Sequence, residues 1–172
     1  MITAAALKEF GSMETPFYYY DMELLRRTAN TLAGELNKYG YYGHYAIKAN
    51  ANSKVLETIN KAGIGAECAS GNEVAAAIKA GFNTGSIVFA GVGKTDKEIR
   101  LSLEKGIYSL NCESLPEIEV IDSIAAAMGT KAKICVRVNP DVDAHTHKNI
   151  TTGLKENKFG IGPAGFEALA EL

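Results

Sequence analysis

Residues 44–81 read HYAIKANANSKVLETINKAGIGAECASGNEVAAAIKAG, and the order of residue types in this stretch decides the fold class. A run of aromatic, small and β-branched residues, His44 to Ala49, passes through a polar turn into a helical pattern over Lys54 to Ala62 that stops at Gly63. The unit then recurs as Gly65 to Ala69 followed by Asn72 to Ala80, stopped by Gly81. Downstream come Ile87 to Ala90 with Asp96 to Lys105 and Gly106, then Ile107 to Cys112 with Pro116 to Met128 and Gly129, then a fifth run, Lys133 to Asn139. Upstream, Phe17 to Tyr20 reads as a short extended run after Pro16, and a helical pattern begins at Asp21 with Leu24, Leu25, Leu32 and Leu36. Strands alternating with helices at a spacing of about 20 residues predict a parallel sheet of βα units with both faces covered. The helix after the fourth run shows the local logic: Ser114 caps it with Glu117 three residues on, Pro116 lies in its first turn, and Ile118, Ile121, Ile124 and Ala125 give one apolar face. Beyond the fifth run the pattern breaks. Residues Pro140 to Asn157 hold two of the three histidines without a helical pattern, and Lys158 to Ile161 reads as a sixth short strand.

Such units build either an open doubly wound sheet or a barrel. The dinucleotide fingerprint GxGxxG would follow the first strand, where the sequence instead has Lys48-Ala49-Asn50-Ala51-Asn52, so dinucleotide binding is disfavoured. The pattern leans to a (β/α)8 TIM-like barrel, of which eight units need ~250 residues. Only about six of the eight units are expected in this α/β chain. Residues 1–21 are read as an N-terminal extension with the extended run, and 22–172 as one barrel unit without an internal boundary.

The 172 residues carry 18 Lys+Arg against 20 Asp+Glu, a net charge of -2 that offers no electrostatic footprint for nucleic acid or an anionic membrane, and neither is expected as a partner. No stretch approaches the ~18 apolar residues of a transmembrane helix, and Met1 to Glu9 lacks a signal-peptide pattern, so the expectation is a cytoplasmic protein. Cys68, Cys112 and Cys135 form an odd set without CxxC spacing, which predicts reduced and mostly buried thiols.

A barrel of this kind places its active site at the C-terminal ends of its strands. There the sequence sets Lys48, Glu67, Gly91 to Lys94, Asn111 and Glu113, and Arg137 and Asn139. A lysine closing an apolar strand is where desolvation frees an amine to form an imine with a carbonyl, although a lysine that snorkels to solvent has the same pattern. Gly91-Val92-Gly93-Lys94-Thr95 is not a phosphate loop, because GxxxxGK[ST] would need glycine at Val88. Asp141, Asp143, His145 and His147 lie on an irregular loop that fits hydrogen bonding better than a metal site, so no metal is expected. His44 is read as a strand residue with its ring hydrogen-bonded near the barrel wall, and Tyr18 to Tyr20, Tyr41 and Tyr42 as strand and edge packing.

The run His44-Tyr45-Ala46-Ile47-Lys48-Ala49-Asn50 resembles the pyridoxal phosphate lysine motif of the alanine racemase-like, or fold type III, decarboxylases. The likeness extends through Pro16 to Asp21, Ala69-Ser70-Gly71-Asn72-Glu73, Asn111-Cys112-Glu113-Ser114, Arg137 to His147 and Thr152 to Ile161, six ordered segments over roughly 145 residues. The last two are similar specifically to the diaminopimelate decarboxylases. The resemblance implies a pyridoxal 5'-phosphate cofactor, an amino-acid substrate (meso-2,6-diaminopimelate, giving L-lysine), and a homodimer. It implies that Lys48 holds the cofactor, with Ala46, Glu67 and Arg137 lining it. Glu73 matches the acidic residue of the family's Ser-Gly-Gly-Glu segment, with Asn72 in place of the second glycine, and is equally read as a first-turn helix carboxylate. The family continues into a further strand, a phosphate loop and a C-terminal β domain absent from these residues, so the chain alone is expected to be inactive. Another fold III decarboxylase, such as one acting on carboxynorspermidine, a non-enzymatic pyridoxal phosphate-binding barrel, or a fragment without a ligand are the alternatives.

Overall fold

The structure, a computed structural model, describes residues 2–142, 145, 159–162, 165 and 169. Helix α1 (Ala4–Phe10) buries none of its residues and precedes α2 (Met22–Lys38), whose N-terminus Asp21 caps by accepting from the Leu24 amide at 2.9 Å. Four βα units and a fifth strand follow: β1 (His44–Ala46), a 3₁₀ turn (Ile47–Ala49), α3 (Ser53–Lys61), β2 (Gly65–Cys68), α4 (Gly71–Lys79), β3 (Ile87–Phe89), α5 (Asp96–Lys105), β4 (Ser109–Cys112), α6 (Leu115–Ala127) and β5 (Ile134–Val136). Gly106, one of the four predicted helix stops, takes the left-handed conformation at φ +62° directly after α5, where its amide closes on the Leu103 and Ser102 carbonyls.

All four strand pairs are parallel and the spatial order is β1-β2-β3-β4-β5. Sequential order is what a barrel requires and a doubly wound sheet forbids, because the latter reverses direction at a switch point. The described strands are an arc of the barrel. A parallel bridge between Val138 and Ile161, closed by Asn139 N–H to Ile161 O (2.9 Å) and Ile161 N–H to Arg137 O (2.8 Å), continues it. It falls at the predicted sixth strand, although Lys158 and most of 143–158 lie outside the described residues.

Side chains alternate between two environments. Ala66, Cys68, Ile87, Phe89, Leu110 and Cys112 are at most 1% exposed and face the helices, packing with Leu56, Val74, Ile99 and Ile121. Their neighbours face the other way and form a concave row in register: Ala46 beside Glu67, Glu67 beside Val88, Val88 beside Ser109, with Asn111 beside Cys135 one layer further along. Gly65 is fixed by crowding, since a Cβ there would stand 2.5 Å from the Ser86 carbonyl oxygen and 2.7 Å from the His44 ring.

Several expectations are corrected. Strand β1 stops at Ala46 because the chain turns into the 3₁₀ segment, so Lys48 sits on the turn beyond the strand. Phe17 to Tyr20 belongs to no ladder; Phe10 packs against Phe17 and Tyr19 with ring centroids 5.4 and 4.9 Å apart, while Tyr18 and Tyr42 are 91% and 92% exposed. The His44 ring makes no hydrogen bond among the described residues and instead fills the space over Gly65, its centroid 6.4 Å from that of Tyr108. Cys135 is exposed, whereas Cys68 and Cys112 are buried as expected.

Candidate functional site

The loops after the strands are locked by one recurring device. Ser70 accepts from the Glu73 amide at the start of α4, and the Glu73 carboxylate returns to the Ala69 amide at 2.7 Å. Ser114 and Glu117 repeat this at α6, with Glu117 Oε2 on the Glu113 amide at 2.7 Å. Thr95 and Glu98 form a full capping box on α5, and the other Glu98 oxygen takes the Gly71 amide at 2.7 Å, joining two helix starts. Those backbone donors hold the Glu98 carboxyl below its ordinary value, the Thr95 amide most. Glu73 is thus the first-turn carboxylate of the alternative reading. Asn72 lies within α4, which has no need of the missing glycine.

On this frame Lys48 is exposed, and among the described residues it has neither the apolar surroundings expected for it nor an ion-pair or hydrogen-bond partner for its ammonium. Glu67 is half-buried on the concave face, in register with Ala46, and likewise uncommitted there. Burial pushes the His44 imidazole down, and the charge of Glu67 opposes this. Arg137 follows β5, where its amide donates to the Cys112 carbonyl at 2.9 Å. Its Nη1 donates to both oxygens of Glu113 at 3.3 Å, and its guanidinium carbon lies 4.7 Å from the Phe159 ring centroid. Glu113, 4% exposed, also accepts from the Gly160 amide at 3.1 Å.

Lys94, placed by the sequence at a strand end, has a structural commitment that the sequence does not announce. Its side chain is 1% exposed, and Nζ donates to the carbonyls of Gly91 (2.8 Å) and Asn111 (2.6 Å) and to Glu117 Oε1 (2.6 Å). Gly91 lies in the same loop, but Asn111 and Glu117 are 17 and 23 residues away, so no local pattern shows that the ammonium is consumed. Glycines flanking Lys94 invite a phosphate reading that the geometry excludes, because every donor of the ammonium is already used. Of the loop at 141–147, Asp143, Ala144, Thr146 and His147 lie outside the described residues. Among the described residues, no group of three or more His, Cys, Asp and Glu is placed to hold a metal ion, and no helix is long and apolar enough to cross a membrane.

Parallel strands in sequence order, with Glu67 on β2 and Lys48 and Arg137 just beyond the C-terminal ends of β1 and β5, define the class: a (β/α)-barrel domain. Residues 23–172 match the family of pyridoxal-dependent decarboxylases over its pyridoxal binding domain, and the chain belongs to that family. It is 56% identical over 156 residues to the diaminopimelate decarboxylase of Bacteroides thetaiotaomicron, covering 90% of this chain and 40% of that protein. The crystal structure of diaminopimelate decarboxylase from Helicobacter pylori complexed with L-lysine superposes with a TM-score of 0.85 at 43% identity, over 95% of this chain and 41% of that one. The enzyme from M. jannaschii in co-complex with L-lysine gives 0.81 at 32% identity, over 96% and 39%. The chain spans about two fifths of the length of the curated relatives it matches.

Proposed function

We propose that this chain is the cofactor-holding part of a diaminopimelate decarboxylase, which converts meso-2,6-diaminopimelate to L-lysine and carbon dioxide. The observation that carries the reading is the uncommitted amine of Lys48, two residues beyond Ala46, itself the register neighbour of the uncommitted Glu67. That donor set fits pyridoxal phosphate: a primary amine for its aldehyde carbon, a carboxylate on the same face, and guanidinium donors for an anionic oxygen. The cofactor, when bound, supplies an electron sink for the carbanion left as carbon dioxide departs.

Each residue has a part in this. Lys48 Nζ holds the cofactor. Ala46 presents only a methyl group beside Glu67 and keeps that part of the face open to a flat ring. Glu67 keeps a negative charge next to the site and orients any donor brought there. Arg137 offers Nε and Nη2, which no described residue occupies, to an anion. Glu113, Glu117 and Lys94 hold the walls. Residues 22–172 then belong to the barrel, 1–21 form an extension, and the protein works as a cytoplasmic homodimer on a small amino acid.

The test is made on the full-length protein with added pyridoxal phosphate. Borohydride is expected to fix the cofactor mass on the peptide containing Lys48, and meso-diaminopimelate to yield L-lysine. An adduct at another lysine, or turnover of a different amino acid alone, would overturn the reading.

A further inference from the structure

Arg137 is unusual among the site residues in being anchored while still holding unused donors. Of its five N–H groups, the described contacts engage only Nη1, on the two Glu113 oxygens. The guanidinium carbon also lies 4.7 Å from the centroid of the Phe159 ring. Glu113 itself cannot wander. Its backbone amide is tied to Glu117 Oε2, whose partner oxygen is gripped by the buried Lys94 ammonium, and its carboxylate also takes the Gly160 amide. A Cβ at Gly160, φ +78°, would stand 2.9 Å from the Arg137 carbonyl oxygen, so that amide reaches Glu113 only because the residue is glycine.

We infer that Glu113 is a positioning residue: it fixes the Arg137 guanidinium at the mouth of the barrel so that Nε and Nη2 stay directed to an anionic oxygen at the cofactor site. The inference rests on the proposed cofactor reading and adds to it a residue that touches neither cofactor nor substrate. A preorganised guanidinium loses less freedom on engaging its anion than a free one. The cost of losing Glu113 therefore falls on anion binding through Arg137, beyond any loss of stability.

The experiment is a double-mutant cycle in the full-length protein, reading the dissociation constant of pyridoxal phosphate by absorbance titration of the apo form. Glu113→Gln and Arg137→Lys are each expected to weaken binding by about tenfold, and the double variant by little more than either, since the two act as one unit. Independent effects that multiply to about a hundredfold would overturn the inference, as would a Glu113→Gln affinity equal to wild type. Should Glu113→Gln fail to fold, the guanidinium nitrogen resonances of wild-type Arg137 decide. Resolved, slowly exchanging Nη signals in the apo protein are expected, and averaged signals would refute the anchoring. Wild-type protein that gives no adduct at Lys48 would instead remove the cofactor reading, which separates the two failures.

Discussion

Lys48 and Lys94 both follow the end of a parallel strand, yet their surroundings are opposite. Among the described residues Lys48 stands exposed with its amine unclaimed, which suits a nucleophile. Lys94 is buried and fully bonded, joining the loop after β3, the end of β4 and the first turn of α6. Removing one member of a buried pair leaves the other charge stranded. Lys94→Met is therefore expected to destabilise the chain by about 3–5 kcal/mol in urea denaturation, by stranding Glu117. A loss below ~1 kcal/mol, the range of exposed pairs, would show that water reaches the carboxylate. What separates the two lysines in sequence is faint. Strand-end position was legible for both, but commitment depends on the Asn111 carbonyl and the Glu117 carboxylate brought in from elsewhere.

At the scale of elements, the helix starts were largely written in the sequence. Ser114 with Glu117 and Thr95 with Glu98 carry the S/T-x-x-E spacing, and the structure places each serine or threonine as the cap. The sequence did not show that Glu117 reaches one residue further back, to the Glu113 amide, or that Glu98 also bonds Gly71 of the neighbouring unit. That second reach makes Glu98 a pH-sensitive joint between α4 and α5. Its folded pKa lies below the unfolded value near 4.5, so its contribution is complete above that value and is lost as pH falls through the folded one. Stability measured from pH 6 down to about pH 2 should decline less in Glu98→Gln than in wild type, and parallel curves would assign the acid loss to other groups. Strand limits were less legible. The run His44 to Ala49 looks uniform, but only three of its residues pair, because the turn that carries Lys48 begins within it.

The whole molecule sets two sheet faces, one apolar against the helices and one concave and partly polar. Cys68 and Cys112 sit on the first. Burial pushes both thiols up to about 12, so neither ionises at neutral pH. Their folded pKa values exceed the unfolded ones, hence stability is full below the unfolded thiol value of ~8.5 and falls as pH rises toward 12. Cys135, exposed on the concave face, should be labelled quickly by a thiol reagent at pH 8, and Cys68 and Cys112 only on unfolding. Fast labelling of all three would contradict the packing of the helix-facing side.

By itself the sequence determined the alternation of strand and helix, the caps and glycine stops, and the family likeness of the lysine motif, since these depend on residues within a few positions of one another. Tertiary structure alone decided that the strands run in sequential order, that Glu67 stands beside Ala46, that Lys94 is consumed internally and that Arg137 is held by Glu113. Each of these joins groups many residues apart, and their pairing is fixed by strand register and burial, which local pattern does not encode.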